Sequence, residues 1–299
     1  MKILVTGGAG FIGSHVVDTL IRRGDTVVVV DNLSTGKESN INPNAEFYKL
    51  DINSGILEEI FKGGIDVVIH LAAQVSVTRS LENPSYDALV NINGSLNLIN
   101  LAKKYGVDKF IYINSAAIFG DPQYLPIDEN HPKNPKANYG LSKSVVEDYL
   151  RIAKINFVSL RLANVYGPRQ TAQGEGGVIA IFSQAFANRK PIYIHGDGEQ
   201  TRDFIFVKDV ARAVICAIEN GLGCFNIGTG KKITLNGLIK IIHAVCGYEV
   251  EKKKAPVRDG DIRESVLGIS KARDILKWEA EISLEQGLLE TIDYERNKT

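Results

Sequence analysis

Several things are scarce in this chain of 299 residues. It has three cysteines, Cys216, Cys224 and Cys246, an odd number without metal-ligand spacing. Neither a disulfide framework nor a bound metal is therefore expected, and idle thiols in a reducing cytoplasm are the reading they support. Charge of one sign is not in excess: 35 Lys and Arg balance 35 Asp and Glu. That balance argues against a field recruiting nucleic acid or an anionic membrane, and Lys252 to Lys254 read as solvated surface. No apolar run approaches the ~20 residues that span a bilayer. Lys2 already opens the first β-rich run, which leaves no room for a leader peptide. Low-complexity linkers are missing as well. What remains is 44% hydrophobic and 23% charged, ordinary for one large globular domain or two intimate lobes.

Strand-like runs occupy Lys2–Val5, Thr26–Val30, Ala45–Leu50, Val67–His70, Phe110–Asn114 and Phe157–Leu160. Helical periodicity falls between them at 12–22, 55–62, 84–105 and 139–154. Such alternation predicts an α/β fold, a Rossmann-type doubly wound parallel sheet covered on both faces. Past residue 164 the texture changes. Glycine-rich and polar loops (Gly174–Gly177, Gly196–Gln200, Gly228–Lys232) separate shorter elements. The division expected is 1–164 for a dinucleotide-binding domain and 165–299 mainly for a smaller substrate-binding lobe, with the chain free to cross back.

The glycines of Leu-Val-Thr-Gly-Gly-Ala-Gly-Phe-Ile-Gly-Ser-His carry the first functional signal. Gly7, Gly10 and Gly13 follow an apolar strand and open an amphipathic helix. A turn without Cβ lets the backbone approach phosphates, and the helix N–H groups and dipole favour anions. Asp31 closes the second strand, 18 residues beyond Gly13. A carboxylate there accepts from the ribose hydroxyls and repels a 2′-phosphate, so NAD is favoured over NADP.

Tyr139 and Lys143 form Y-x-x-x-K, sharing one face of a helix. A phenol with an ordinary pKa near ~10 is a poor base at neutral pH, and a fixed ammonium beside it favours the phenolate. Alone, the pair is common on amphipathic helices; downstream of a dinucleotide fingerprint it reads as a proton-transfer pair. Ser115, ending the fifth strand run, supplies a hydroxyl that can share a proton with substrate and Tyr139.

With these motifs the chain resembles the extended short-chain dehydrogenase/reductase superfamily, and within it the UDP-glucose (UDP-galactose) 4-epimerase family. The resemblance includes T-G-G-A-G-F-I-G-S-H from Thr6, D-N-L-S from Asp31, L-D-I from Leu50 and H-L-A-A-Q from His70. It continues with N-V-Y-G-P-R at Asn164, R-D-F-I-F-V at Arg202 and R-D-G-D-I-R at Arg258. It implies that Phe11 and Ile12 line the pyrophosphate turn, and that Asp31, Asn32, Ser34, Thr35 and Gly36 hold the adenosine ribose. Asp51 and Ile52 would flank adenine, and Leu71, Ala72, Ala73 and Gln74 would pass beneath the nicotinamide. For a UDP-sugar, Asn164, Arg202 and Arg258 would meet the diphosphate and Asp261 the uridine ribose, with Val178 and His195 as further contacts. Ser115, Tyr139 and Lys143 would be catalytic.

Related dehydratases carry an Asp-Glu pair after the strand-end hydroxyl, and UDP-glucuronate decarboxylases a glutamate. Ala116 and Ala117 stand there instead, which favours 4-epimerisation through a transient 4-keto sugar. UDP-glucuronate 4-epimerase stays open, and a non-catalytic NAD(H) sensor is disfavoured by the Tyr-Lys pair. Phe119, where the family usually has Tyr, is expected to be a packing position. Ser265, where a bulky Tyr would restrict the pocket to plain hexoses, is expected to admit an N-acetyl group. The superfamily's dimer would use the 84–105 and 139–154 helices.

Overall fold

Runs of β-branched residues build the central sheet of the computed structural model, which describes residues 1–172, 177–257 and 262–298. The first half supplies β1 (Lys2–Thr6), α1 (Phe11–Arg23), β2 (Thr26–Asp31), β3 (Glu46–Lys49), α2 (Leu57–Lys62) and β4 (Val67–His70). It goes on through α3 (Val77–Glu82), α4 (Pro84–Ala88), α5 (Gly94–Lys104), β5 (Lys109–Ser115), α6 (Asn138–Ala153) and β6 (Phe157–Leu162). After these come β7 (Asn164–Tyr166), α7 (Val178–Ala187), β8 (Ile192–His195), β9 (Thr201–Arg202), β10 (Phe204–Phe206) and α8 (Val207–Glu219). The last elements are β11 (Gly223–Ile227), β12 (Ile233–Thr234), α9 (Leu235–Cys246), β13 (Lys252–Ala255) and α10 (Leu284–Arg296).

Seven parallel strands lie in the order β11-β6-β5-β4-β1-β2-β3. The order reverses between β1 and β4, and in such sheets the ligand crevice opens there, at the carboxyl ends. Alternate residues of each strand feed two apolar layers. Ile3, Val5, Val29 and Ile69 pack with Val17, Val210 and Val214 on one face; Leu4, Val28 and Val68 pack with Phe61, Leu98 and Leu150 on the other. Each such side chain contributes roughly 1.5–3 kcal/mol of transfer free energy. A third core, around Phe182, Phe186, Leu238, Ile242 and Leu288, supports the second half. No helix among the described residues is long and apolar enough to cross a membrane.

All six predicted strands are present, with small shifts at their ends. The helix predicted over 84–105 is instead α4 and α5 joined by a π turn over Leu89–Asn93, whose wider winding swings Asn91 inward. Helix α3 was not anticipated. Beyond residue 164, β11 pairs with β6 from Gly223↔Val158 to Ile227↔Leu162, and α8 packs on α1.

Candidate active site

Two glycines shape the turn after β1. Gly7 has φ +73, and a Cβ there would lie 2.6 Å from the Ala72 amide nitrogen. A Cβ on Gly13 would meet the Gly7 carbonyl at 2.1 Å, so only hydrogen fits where α1 leaves the turn. Gly10 caps α1 without a side chain, and its first turn, beginning Phe11-Ile12, holds no acid. Free helix-end dipoles beside a cradle that a Cβ would fill suit a dinucleotide pyrophosphate. Asp31 is buried; its carboxylate accepts from Ala9 N at 3.0 Å and Leu33 N at 2.8 Å. The Ser34-Thr35-Gly36 loop folds over it, close enough that a Cβ on Gly36 would sit 3.0 Å from both oxygens. Asn32 donates to Asp51 at 2.8 Å. Partial burial pushes the Asp51 carboxyl up, yet the bonds from Asn53 and Asn32 outweigh it and hold it below the usual range. Ile52 is buried beneath Gly94, where α5 approaches closely.

Leu71 and Ala72 both donate to the Thr6 carbonyl at 3.1 Å, and beyond half-buried Ala73 the Gln74 amide donates to Asn91 Oδ1 at 2.8 Å. Behind this segment runs a directed hydrogen-bond chain. The Ser95 hydroxyl donates to the Asn91 carbonyl at 2.5 Å, so its oxygen accepts from His70 Nε2 at 2.9 Å. His70 Nδ1 is left to accept from the Thr6 hydroxyl at 2.8 Å. Burial, helped by the Lys143 charge, pushes His70 down to about 3, which keeps the ring neutral and the chain's direction fixed.

Tyr139 and Lys143 stand one turn apart on α6, and Ser115 ends β5. Gly140 allows the approach: a Cβ there would sit 2.6 Å from the Ala117 carbonyl. The Ser115 hydroxyl oxygen accepts from Ala117 N at 3.2 Å, capping the short 3-10 turn Ala116–Ile118. Lys143 is 4% exposed; its Nζ donates to the Ile113 carbonyl at 2.7 Å and lies 4.2 Å from the Tyr112 ring centroid. Burial pulls Lys143 down to about 7, against the opposing pull of Asp87 and Glu147. Phe119 is fully buried against His131, the packing position expected of it.

A second buried cluster, absent from the sequence reading, centres on Glu147, four residues past Lys143. Its carboxylate accepts from Asn114, Ser159 and Arg161, and pairs with Lys133 at 2.7 Å. Burial pushes this carboxyl up, but Arg161 and then Lys133 outweigh it and hold it at about 2. The signal in the sequence was an acid continuing the four-residue spacing of Tyr139 and Lys143 on the buried face.

Two residues past β6, Asn164 opens β7 and is exposed, its backbone amide donating to the Asp203 carbonyl at 3.0 Å. Arg202 ends β9 and donates to the Thr201 carbonyl at 2.8 Å. Ser265 N donates to the same carbonyl at 3.2 Å, which brings Ser265 beside Arg202. His195 Nδ1 donates to the Pro256 carbonyl at 2.9 Å and lines a cleft of about 450 Å³ with Gln200, Lys254 and Arg263. Val178, half-buried, opens α7. Arg258 and Asp261, like Gly174 to Gly176, lie outside the described residues.

The fold is shared with solved nucleotide-sugar epimerases. A solved UDP-glucose 4-epimerase of Thermotoga maritima, with UDP-glucose, superposes with a TM-score of 0.97 at 45% identity, covering 100% of this chain and 99% of that one. A UDP-N-acetylglucosamine 4-epimerase of Methanobrevibacter ruminantium, in complex with UDP-N-acetylmuramic acid, gives 0.96 at 36% identity, covering 100% and 99%. A UDP-glucose 4-epimerase of Mycolicibacterium smegmatis is 39% identical over 100% of both chains. The profile of the NAD dependent epimerase/dehydratase family matches residues 3–228, and to that family this chain belongs.

Proposed function

We propose that the chain is an NAD-dependent 4-epimerase of UDP-hexoses. One observation carries this reading: Lys143 reaches the Ile113 carbonyl two residues before Ser115, Gly140 lets α6 close on the turn after Ser115, and that turn offers only Ala116 and Ala117. No acid follows the hydroxyl in that turn to drive elimination, so the chemistry stops at reversible oxidation of C4. Residues 1–164, completed by α8 and β11, form the cofactor lobe in this reading, and the remainder holds the nucleotide sugar.

Bound NAD supplies a reversible two-electron acceptor at its nicotinamide. The Tyr139 oxygen takes the proton of the sugar 4-hydroxyl and later returns it, with the Ser115 hydroxyl bridging the two. Lys143 has one N–H committed to the Ile113 carbonyl, which leaves two for the nicotinamide ribose and for the charge beside Tyr139. Arg202 and Arg258 hold the diphosphate with charge-assisted bonds, Asp261 accepts from the uridine ribose, and Asn164, Val178 and His195 complete the wall. Anchoring by the nucleotide lets the 4-keto ring turn and take its hydrogen back on the other face.

Gly7, Gly10, Phe11, Ile12 and Gly13 cradle the pyrophosphate, Asp31 to Gly36 the adenosine ribose, Asp51 and Ile52 the adenine, and Leu71 to Gln74 the nicotinamide. The anchored Asp31 carboxylate favours NAD; tighter binding of NADP by the cofactor-free chain would overturn that. Exposed Leu141, Tyr149 and Ile152 align along α6, near Leu81 and Leu89, and support a homodimer through these helices. Sedimentation of Leu141→Glu as a monomer is the expected check. Three free thiols suit a reducing cytoplasm.

Incubation of the purified protein with UDP-glucose, UDP-GlcNAc and UDP-glucuronate, with product sugars resolved by NMR, tests the whole reading. Interconversion of UDP-glucose and UDP-galactose is expected. Product from UDP-glucuronate alone would replace it with the uronate reading.

A further inference from the structure

The Glu147 cluster has a shape that stability alone does not require. The carboxylate is 4% exposed and collects groups from three other parts of the fold: Asn114 on β5, Ser159 and Arg161 on β6, and Lys133 from the loop before α6. Buried ion pairs are poor sources of stability, because desolvation offsets most of their attraction. What this one does is fix an amide. Asn114 Nδ2 donates to Glu147 Oε1 at 2.8 Å, and the other end of the same side chain, Oδ1, accepts from the Ser115 backbone N–H at 2.8 Å. One residue earlier, the Ile113 carbonyl receives Lys143 Nζ at 2.7 Å. Ile113, Asn114 and Ser115 are consecutive, and Lys143 and Glu147 are one helical turn apart. These cross-links clamp the end of β5 to α6, one at the Ile113 carbonyl and one through the Asn114 side chain, with the Tyr112 hydroxyl adding a third on the Lys143 carbonyl at 3.3 Å.

We propose that Glu147 and Asn114 are a positioning pair, through which one buried carboxylate sets the Ser115 hydroxyl against Tyr139 and Lys143. Neither residue touches substrate in this arrangement; both act through Ser115 and Lys143. The two cations on Glu147 determine its role further. Arg161 approaches both carboxylate oxygens, at 2.9 and 2.8 Å, and also donates to the Glu129 carbonyl at 3.0 Å, so the carboxylate cannot rotate away from Asn114. Its negative charge also opposes the loss of the Lys143 proton in a buried setting. The inference rests on the epimerase reading for its kinetic consequence, but its structural consequence stands apart from it.

The test uses the NAD-loaded full chain and two variants. Asn114→Ala removes the bridging amide while leaving the Glu147–Arg161–Lys133 ion cluster intact, so the fold survives. Glu147→Gln removes the charge at nearly constant shape. Both are expected to lower kcat for UDP-glucose by at least ~10-fold, with KM and bound NAD changed by less than about twofold, as for a misplacement that affects only the reacting geometry. Glu147→Gln should also speed amide hydrogen exchange at Ser115 by about tenfold while exchange in the middle of β5 is unmoved. A kcat for Asn114→Ala within about twofold of the parent overturns the proposal, as does an unmoved Ser115 exchange rate in a folded Glu147→Gln chain. Should the parent chain leave UDP-glucose unchanged, the epimerase reading fails, and the Ser115 exchange rate alone decides the positioning.

Discussion

The two walls of the crevice handle polar groups in opposite ways. On the wall built by β4, β5 and α6 they are buried and held: His70 between Thr6 and Ser95, Lys143 on the Ile113 carbonyl and over the Tyr112 ring, Glu147 among Asn114, Ser159, Arg161 and Lys133. On the other wall, around the His195 cleft, the charged pairs are exposed, although Asp203 behind them is buried. Arg263 and Asp197 form a two-bond pair with side chains 61% and 57% exposed, and Lys232 pairs with Glu264. Burying a polar group costs several kcal/mol unless its bonds are met, so the first wall admits essentially one arrangement. Exposed pairs contribute about 0–1 kcal/mol and rearrange freely. The difference teaches where this chain can vary. In the proposed reading, the chemistry sits on the wall that cannot shift and the substrate range on the wall that can.

The comparison breaks hardest at Tyr139. Tyr139→Phe should lose at least ~10²-fold in turnover with UDP binding intact, the ordinary scale of a general base. Near-normal turnover would mean another group moves the proton.

Lys143→Met should abolish most activity yet stabilise the cofactor-free chain near neutral pH. The folded-state pKa is lowered from 10.5 to about 7, so between those values the unfolded chain binds more protons. Stability from this group therefore rises with pH across that window and is lowest below it. Thermal unfolding between pH 7 and 8.5, parent against Lys143→Met, should show the parent gaining relative stability as pH rises. Parallel curves would contradict the burial assigned to this ammonium.

On the adaptable wall, Ser265→Tyr should remove UDP-GlcNAc turnover at least ~10-fold more than UDP-glucose turnover, the range by which a filled pocket discriminates. Equal losses on both sugars would mean Ser265 is not the gate. The smallest effect belongs to the exposed pair. Asp197→Ala should leave the thermal midpoint within about 2 °C of the parent, despite a carboxyl held at about 2 by its bonds to Arg263 and the Glu199 amide.

Local signals were legible in the sequence, and long-range ones were not. The six apolar strand runs, the glycine turn and Y-x-x-x-K each lie within a dozen residues, and each is where the pattern predicted. The π turn at Leu89–Asn93 was not readable, because its driving contact, the Gln74 amide on Asn91, joins residues 17 apart in sequence. The Glu147 cluster was missed for the same reason: Asn114, Lys133 and Arg161 are scattered, and none carries a motif. β11 is short, its Gly-Cys-Phe-Asn-Ile run is broken by Gly and Asn, both poor strand formers, and its pairing with β6 makes it a strand.

That late strand bears on how the chain is made. When residues 1–164 have emerged from a ribosome, β6 still lacks its outer neighbour, and α1 lacks the helix that covers it. Val158, Leu160 and Leu162 then sit on an open sheet edge until β11 arrives, on the order of several seconds later at ordinary synthesis rates. Residues 1–164 made alone would carry an unpaired β6 edge and an uncovered α1, and are expected to aggregate rather than stand as a free module.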